Sequence, residues 1–574
     1  MTRSTTRTQR LSALMGGLRH TALVVGIGLV VLGPALATAQ TLPVGAGRAE
    51  LEAWTVQNPG DAAAWFALAN AWGDEGQPEE ALAAAERALA LEPRNSEFLH
   101  GRAKHANWAG RYAPALDSYR RLLVLNPDDR LAYLGRARVE SWSGLLDAAV
   151  DHYREYLERW PTQGPAWLEL ARCQIWRGDS AAAVEVLDRY VERFGDDPEA
   201  RRERARALAV PRPRASLDLL DGLLVADADL DLRGLEPLAL LRRDRPREAL
   251  DRLDRLRLDG PGDPGVESLI RVVTTPLRTT LTPIFDLYSD GDSVERQRTS
   301  FEAGGGLGVV HRWRLELDQT SLEADRSSGL AARRATRMRS TAARLGASFR
   351  PHMDLRLRGE LGQRKIEDGG DLTIYRLGLR WQPTDRWTLD LERARELHDV
   401  SPRAVELEIA RTQNRLGMTW RPTLRNHVEL WLAEDQFSDR NRRWEVVFAP
   451  RRQALRRSRF NLDLGVEGRW MGFDFDPGSG YWAPDDFRRL AFTGFGYWKL
   501  ADDHGVSLVF ALGWYREDSL DSDRFGGDVA LEGTFGIYRD WQLRLRGAYS
   551  EAARLPSGAF HAWSGSLRIT RRLG

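Results

Sequence analysis

The segment Trp541–Tyr549 carries the pattern that most constrains how this chain can fold. Its odd-numbered positions are apolar or small (W, L, L, G, Y), whereas positions 542, 544 and 546 are polar or charged. Because alternate side chains of a strand point to opposite faces, one face is apolar and the other is charged. Similar segments recur about sixteen times between 281 and 574, without a helical segment to cover the apolar faces. This pattern is typical of a transmembrane β-barrel whose apolar side faces lipid and whose polar side faces the lumen.

The connections between these segments give a second argument for a barrel. They alternate between short turns and long loops, as expected when every second connection lies on the same side of a membrane. Two connections, 450–458 and 500–505, are longer than this alternation expects. The predicted strands are 281–289, 297–310, 313–322, 340–349, 353–365, 372–382, 387–398, 407–420, 427–437, 442–449, 459–472, 487–499, 506–516, 525–538, 541–550 and 561–571.

The lumen of such a barrel is predicted to be wet and charged. Sixteen strands leave room for an aqueous channel. The inward charges either line a transport path or pair with one another and stiffen or close the barrel. The candidate lumen residues are Arg356, Arg358, Glu360, Asp463, Glu467, Arg469, Arg544, Arg546 and Arg568.

The N-terminus predicts secretion. Arginines at 3, 7, 10 and 19 precede an apolar run over 21–35, and Ala37-Thr38-Ala39 matches a cleavage site. Residues 1–39 are therefore predicted to be a signal peptide, and no other apolar run is long enough to cross a membrane as a helix. The formal net charge of +1, from 83 basic and 82 acidic residues, argues against a nucleic-acid partner.

Residues 40–265 repeat with a period of 34. Prolines at 59, 93, 127 and 161 and tryptophans at 108, 142 and 176 keep this spacing, and each tryptophan is followed two residues later by glycine. The period and these residue types resemble the tetratricopeptide repeat, a helix–turn–helix unit that stacks into a solenoid. We therefore expect a helical solenoid over 40–265 with a pattern that decays after 195, a linker over 266–280, and a barrel over 281–574.

One face of this solenoid is a candidate binding groove. The positions that follow one alanine ladder are Asn70, Lys104, Arg138 and Arg172, which form a polar to basic stripe. This stripe either binds an acidic peptide or a hydroxyl-rich polymer, or is a solvated helix face that binds nothing. The tryptophans of the repeat either stack on sugar rings or pack between repeats, and Cys173 is expected to be a small buried side chain.

Several segments carry a resemblance to a known family. The repeats at 134–144 (LGRARVESWSG) and 171–178 (ARCQIWRG), followed by a barrel, resemble the tetratricopeptide outer-membrane proteins of the YaiO family. They are also similar to the solenoid-plus-barrel exporters of bacterial cellulose and poly-N-acetylglucosamine. The segment 288–292 (YSDGD) looks like the family's first hairpin. A later segment, 480–487, is similar to the family's aromatic motif through Tyr481, Trp482, Pro484 and Phe487.

The resemblance implies a bacterial outer-membrane protein that takes part in export of a secreted polysaccharide. The solenoid would then meet periplasmic proteins or the polymer, and the barrel, surrounded by outer-membrane lipid, would be the exit. The alternative is a non-transporting scaffold or surface receptor whose solenoid binds periplasmic proteins. We expect no enzyme, because no metal-ligand spacing, phosphate loop or nucleophile motif is present, and we expect no cofactor. The sequence thus predicts a multidomain chain, a tetratricopeptide-type α-solenoid followed by a 16-stranded antiparallel transmembrane β-barrel.

Overall fold

The computed structural model describes residues 45–224, 230–306, 311–518, 520–551 and 561–573, with the backbone alone at position 311. The predicted signal peptide, most of the predicted connection 551–560, and residue 574 lie outside the described residues.

The first part of the chain is a stack of antiparallel helices. None of the described helices is long and apolar enough to cross a membrane. The helices are α1 (Arg48–Gln57), α2 (Ala62–Asp74), α3 (Pro78–Leu91), α4 (Ser96–Trp108), α5 (Tyr112–Leu125), α6 (Arg130–Trp142), α7 (Leu146–Arg159), α8 (Gly164–Trp176), α9 (Ser180–Phe194), α10 (Pro198–Leu208), α11 (Pro213–Asp221), α12 (Leu230–Arg233), α13 (Leu235–Arg242), α14 (Pro246–Asp259) and α15 (Pro264–Thr274).

The 34-residue period has a physical cause at each position. Both alanine ladders, at 69, 103, 137 and 171 and at 81, 115, 149 and 183, are fully buried, since only a small side chain lets neighbouring helices approach closely. Glycines at 76, 110, 144 and 178 adopt φ values of 68° to 85°, a left-handed conformation that ends the first helix of each pair. Carboxylates at 61, 129 and 197 accept hydrogen bonds from the first turn of the helix that follows.

The segment from 266 to 280, predicted to be a linker, is largely helical. Helix α15 and a 3-10 turn over Thr275–Leu277 occupy most of it, and the first strand begins at Thr280. Helix α15 forms because its apolar residues Val266 and Val273 are buried against Leu253 and Leu256 of α14. The solenoid therefore continues to within three residues of the barrel.

The second part of the chain is a closed barrel of sixteen antiparallel strands, and this confirms the predicted fold class. Each strand pairs with its neighbours in sequence, and β1 closes the sheet by pairing with β16. The strands are β1 (Thr280–Asp290), β2 (Glu295–Gly306), β3 (His311–Glu323), β4 (Arg337–His352), β5 (Leu355–Ile366), β6 (Asp371–Thr384), β7 (Trp387–Leu397), β8 (Ala410–Trp420), β9 (Asn426–Phe437), β10 (Arg442–Arg456), β11 (Phe460–Phe473), β12 (Phe487–Ala501), β13 (His504–Glu517), β14 (Arg524–Phe535), β15 (Trp541–Ser550) and β16 (Ala562–Arg572).

Two predicted turns were wrong in their extent. Strand β10 continues through Pro450 to Arg456, so that the turn to β11 is only 457–459, and the turn from β12 to β13 is only 502–503. Pro450 stays in the sheet, paired with Val428, although the sequence placed it at the start of a turn. With these corrections both exceptions to the alternation disappear. We call the end with the short turns the solenoid end and the opposite end the loop end.

Candidate functional site: the barrel lumen and its two ends

Ion pairs between inward side chains occupy one part of the lumen wall. On β3 to β5, Arg364 donates to Asp318 at 2.9 Å, and neither side chain is more than 2% exposed. On the adjoining strands Arg344 lies 2.8 Å from Glu396, and Arg376 lies 3.2 Å from the same carboxylate. These side chains neutralise one another across β3 to β7, and ordered guanidinium–carboxylate pairs leave little charge for a passing molecule.

A second part of the wall, formed by β15, β16 and β1, is more open. No carboxylate lies within salt-bridge distance of Arg546 or Arg568 in the part of the chain that the structure describes. Hydroxyl groups surround them: Thr282 donates to Thr570 at 3.1 Å, and Ser566 pairs in register with Arg546. This part of the wall therefore presents hydroxyls and guanidinium groups without a direct ion pair, while Glu532 lies opposite Arg546 in register and Asp286 lies opposite Ser566.

The other candidate lumen residues are mostly paired. Arg356 pairs with Asp244, Arg358 pairs with Glu392, and Glu360 lies near Arg314 and Arg376. On β10 and β11, Asp463 pairs with Arg456, and Arg469 lies between Glu467 and Glu445. Arg544 pairs with Glu532. Of the two interpretations of the inward charges, mutual pairing describes these seven and a free lining describes Arg546 and Arg568. Whether any of them contacts a transported molecule stays a prediction.

A cavity that we call the vestibule lies at the solenoid end of the lumen. This cavity has a volume of about 820 Å³. Arg568, Trp313 and Tyr538 line it from the barrel, while Arg242 and Asp244 line it from the solenoid. The vestibule is thus built by both domains, and a molecule entering the lumen from this end passes the last helices of the solenoid.

The solenoid is fastened to the barrel rim through the turns between its paired helices. In the turn before α14, the carboxylate of Asp244 lies 2.6 Å from Arg350 and 3.5 Å from Arg312. In the first turn of α11, the backbone N–H groups of Arg214 and Ala215 donate to Asp385 at 3.2 and 3.0 Å.

Two earlier helix turns continue this series. The N-cap Asp179 of α9 accepts from Gln453 at 3.3 Å, and Glu185 on the same helix lies 2.8 Å from Arg425. Asp147, in the first turn of α7, accepts from the Ser458 hydroxyl at 2.8 Å. Successive helix pairs therefore meet successive turns of the barrel, in reverse chain order. The spacings of the two domains match, because the width of two neighbouring strands and the distance from one helix pair to the next are each about 10 Å.

A barrel carboxylate is held charged at this interface. Asp354, in the turn between β4 and β5, meets guanidinium groups of Arg214 and Arg243. Burial by itself would raise the pKa of Asp354, but hydrogen bonds and attraction from these two arginines bring its pKa below the usual value.

The predicted groove residues of the solenoid have partners within the repeats. Arg138 donates two hydrogen bonds to Glu169, at 2.9 and 2.7 Å, and Arg172 pairs with Glu203 on α10. Lys104 lies 4.4 Å above the ring of Trp108. The amide oxygen of Asn70 lies 3.3 Å from the ring nitrogen Nε2 of His105. The stripe is thus less basic than its sequence suggested, and its role in binding stays a prediction.

The repeated tryptophans are half-exposed rather than packed away between repeats. Trp108, Trp142 and Trp176 end helices α4, α6 and α8 and keep 51%, 49% and 49% of their surface accessible. The same period leads onward to Val210, which is 45% exposed, and then to Asp244 in the vestibule. We call the three rings the tryptophan ladder. The ladder lies on the turn end of the solenoid, which is the end that meets the barrel.

The loop end of the lumen is covered by connections that fold inward, which we call the lid. The lid consists of 324–336, 398–409 and 474–486, and its second part contains the short helix α16 (Pro402–Glu406). Ala404 and Val405 of this helix are fully buried. They pack against residues at the loop end of β3 to β13, among them Leu322, Met338, Ile366, Met471 and Tyr515.

The aromatic motif predicted from the family resemblance is the core of this lid. Tyr481 stacks on Phe437 with ring centroids 5.0 Å apart, and its hydroxyl donates to Asp439 at 2.9 Å. Trp482 donates to Glu517 at 3.0 Å, and Pro484 accepts from the N–H of Phe473. Phe487 is buried in the same cluster. Burial and the neighbouring Asp439 carboxylate raise the pKa of Tyr481, so the hydroxyl stays a donor.

Backbone contacts tie the three parts of the lid together. The Ser401 hydroxyl donates to the carbonyl of Gly480, which joins the second part to the third. The Glu406 carboxylate accepts hydrogen bonds from the N–H groups of Arg333 and Arg334 at 2.9 and 2.8 Å, which joins the second part of the lid to the first part. These bonds could not be predicted from the sequence, because their partners are 72 to 79 residues apart and lie in loops without periodicity.

Neither a metal centre nor a reactive thiol is found in the described residues. Within them, no group of three or more His, Cys, Asp or Glu side chains is placed to hold a metal ion. Cys173 is fully buried, as predicted, and burial raises the pKa of its thiol to about 11.

Comparison with known proteins places the two domains. A model described as the PgaA membrane beta barrel domain matches residues 333–485. Tetratricopeptide repeat models match 62–95, 102–164 and 143–207. No curated protein matches the chain. The chain is therefore an outer-membrane β-barrel protein with tetratricopeptide repeats before the barrel.

Several solved structures are similar in part. A bacterial polysaccharide outer membrane secretin is 14% identical with a TM-score of 0.44, covering 52% of this chain and 99% of that one. A tetratricopeptide repeat protein from Parabacteroides merdae is 18% identical with a TM-score of 0.35, covering 40% of this chain and 91% of that one. The pilF protein of Pseudomonas aeruginosa is 15% identical with a TM-score of 0.29, covering 36% and 95%.

Proposed function

We propose that this protein exports a secreted polysaccharide across the outer membrane, as a non-enzymatic pore. The polymer would enter at the solenoid end, which faces the periplasm, and leave at the loop end. The observation that carries this proposal is the vestibule, because solenoid and barrel line it together and it leads to the open wall of the lumen. The matched barrel model and the predicted family resemblance agree with it, while membership of the YaiO family stays a prediction.

The chemistry of the path fits a hydroxyl-rich polymer. Arg546 and Arg568 offer guanidinium donors, and the hydroxyls of Thr282, Ser566 and Thr570 both donate and accept hydrogen bonds. A polar lining of this kind replaces the water shell of a sugar chain without binding it tightly, which transport requires.

The tryptophan ladder fits the same cargo. An exposed indole ring packs against the apolar face of a pyranose ring. Neighbouring rungs are one repeat apart, about 10 Å, which is the length of roughly two sugar units in an extended chain. If the 34-residue period of the ladder is continued beyond Trp176, it reaches Asp244 at the vestibule. We therefore propose that the ladder guides the polymer along the solenoid, and that the polar to basic stripe is not the sole contact.

The lid makes a direct test possible. It covers the loop end, so a polymer can leave only if the lid moves. We would replace Arg333 and Glu406 by cysteine, since the Glu406 carboxylate contacts the backbone of residue 333. Oxidation should lock the lid and stop accumulation of extracellular polysaccharide, and reduction should restore it. Each single cysteine variant is the matched control, and Cys173 does not interfere because it is buried.

The second candidate is a non-transporting scaffold, and the closed features favour it. The lid covers one end of the lumen and ion pairs fill one wall. A scaffold would bind its periplasmic partners through the solenoid and use the barrel as an anchor. The locked lid separates the two candidates, because secretion that continues unchanged with a fully oxidised lid would contradict export through this lumen.

A further inference from the structure

The lipid-facing surface of β5 to β9 carries a groove that the export path does not use. Its volume is about 720 Å³. Six leucines line it, and they lie on the lipid-facing side, because five of them pair in register across β5 to β9 while the inward charges of β5 to β8 occupy the alternate positions. They are Leu357, Leu377, Leu379, Leu391, Leu416 and Leu432. We call this surface the leucine groove.

Polar side chains follow the groove directly on the loop-end side. Arg393, Asn414 and Glu434 are each two residues beyond a groove leucine and lie on the same lipid-facing side. They are cross-strand neighbours: Arg393 pairs in register with Asn414, and Asn414 with Glu434. Arg393 donates to the Asn414 side chain at 3.0 Å and to the Tyr375 hydroxyl at 3.4 Å. An outward arginine is thus held in place by neutral partners.

These polar groups lie at a depth where the outward side chains of β11 to β16 are apolar or glycine. On β11 the outward residues are apolar or glycine from Phe460 to Trp470, which covers about 25 Å along the membrane normal for a strand tilt of about 40°. On β7 the apolar run from Trp387 ends at Leu391, after about 10 Å. Arg393 therefore lies about 10 Å below the loop-end edge of an apolar band that is about 25 Å tall. An ionised side chain at such a depth is unfavourable unless it meets a polar or anionic group.

The surface has an excess of positive charge. Arg395 also points outward and pairs in register with Tyr375, and Lys365 points outward further along β5, where it pairs in register with Asp371. In the described ranges, none of Arg393, Arg395 and Lys365 has a carboxylate within salt-bridge distance. The one acid of the row, Glu434, already accepts from Asn414 and Gln436. The two arginines Arg393 and Arg395 above an apolar groove match a molecule with an anionic head and hydrocarbon chains.

We propose that this surface binds a phosphorylated lipid of the outer-membrane leaflet at the loop end. Its acyl chains would fill the leucine groove, and its phosphate oxygens would accept hydrogen bonds from Arg393 and Arg395, with Lys365 closer to the head-group layer. A guanidinium group suits this role because it forms two parallel hydrogen bonds to a phosphate. The site lies on the outer face of the barrel, so it does not depend on what the lumen transports.

Lipid binding by the whole protein tests this site. The purified chain would be reconstituted in phosphatidylcholine vesicles that contain a trace of lipid A with its two phosphates, extracted gently, and weighed by native mass spectrometry. The same measurement with dephosphorylated lipid A gives the reference. We expect at least a tenfold preference for the phosphorylated lipid, and a tenfold loss of that preference in the double variant Arg393→Gln, Arg395→Gln. The matched control is Arg516→Gln, an outward arginine near the loop end of β13 that lies 3.9 Å from Asp523.

The outcomes are distinguishable. Folding of each variant is checked by the heat-dependent shift of the barrel on a gel, so that loss of binding is scored only for folded protein. In a second variant, Leu391→Trp, the groove is partly filled, and retention of both lipids should fall together. Equal retention of the two lipids by the unaltered protein would overturn the proposal. So would an unchanged preference in the double variant, or a dimer of the chain that excludes lipid from this face.

Discussion

The carboxylate of Asp244, in the turn between α13 and α14 of the solenoid, lies 2.6 Å from the guanidinium of Arg350 in the barrel rim. The two residues are 106 positions apart, and the same carboxylate also meets Arg312 and Arg356. Asp244 adopts a left-handed conformation with φ of 60°, which Asp and Asn tolerate better than most residues. One acidic residue thus gathers three barrel arginines at the edge of the vestibule.

Replacing Asp244 by Asn should loosen the solenoid from the rim without distorting the turn. Asn keeps the shape and the left-handed conformation but removes the charge, and three guanidinium groups lose their counter-ion. Because the pairs are about one third exposed, we expect a cost of about 1–2 kcal/mol rather than that of a fully buried pair. Hydrogen exchange should speed up in the turn at 353–354. Asp259→Asn is the control, since Asp259 pairs with Arg233 inside the solenoid, and equal exchange in both variants would contradict the assigned role.

Removing the tryptophan ladder should weaken sugar binding in steps. A single Trp142→Ala variant should lose about 1 kcal/mol of binding free energy for a long oligosaccharide, since one ring contributes one stacking contact. The triple variant at 108, 142 and 176 should abolish measurable binding by calorimetry. Leu131→Ala is the matched control, because Leu131 is 66% exposed on the same helix as Trp142. Equal affinity in the triple variant and the control would remove the ladder from the path.

The sequence predicted most of the fold because the signals were local and periodic. Strand alternation located all sixteen strands to within a few residues, and the prediction was wrong at Pro450, where a turn-forming residue remains in a strand. The 34-residue period located the helix pairs. Contacts between distant segments could not be predicted, since Asp244 and Arg350 carry no shared pattern. The same holds for the ion pairs that neutralise Arg138 and Arg172, whose glutamates lie 31 residues further on.

The aromatic core of the lid should control conductance. Tyr481→Ala removes the ring that stacks on Phe437 and leaves a cavity among Phe473, Ala404 and Phe487, which destabilises packing by about 3–5 kcal/mol if the result follows other large-to-small aromatic changes. The lid should then open more often, and single-channel conductance in a planar bilayer should rise. Tyr481→Phe keeps the ring and loses only the bond to Asp439, so its conductance should lie near that of the unaltered protein. A closed Tyr481→Ala channel would contradict the role of this ring.

Acid should weaken the solenoid through His105. This side chain is fully buried with Nε2 next to Asn70, and burial lowers its pKa from 6.5 to about 4. The unfolded chain therefore binds a proton more readily than the folded one below the unfolded pKa of 6.5. The stabilising effect of the neutral ring is fully present above pH 6.5 and is lost as the pH falls toward about 4, by about 3 kcal/mol in total.

Urea unfolding of the helices in the full chain, followed by circular dichroism between pH 7 and 4, measures the slope with which the free energy of unfolding falls as the pH is lowered. His105→Gln cannot titrate and should flatten it, whereas His152→Gln, at a histidine that is 19% exposed beside Glu140, should leave the His105 contribution in place. An unchanged slope in His105→Gln would assign the acid sensitivity to other groups.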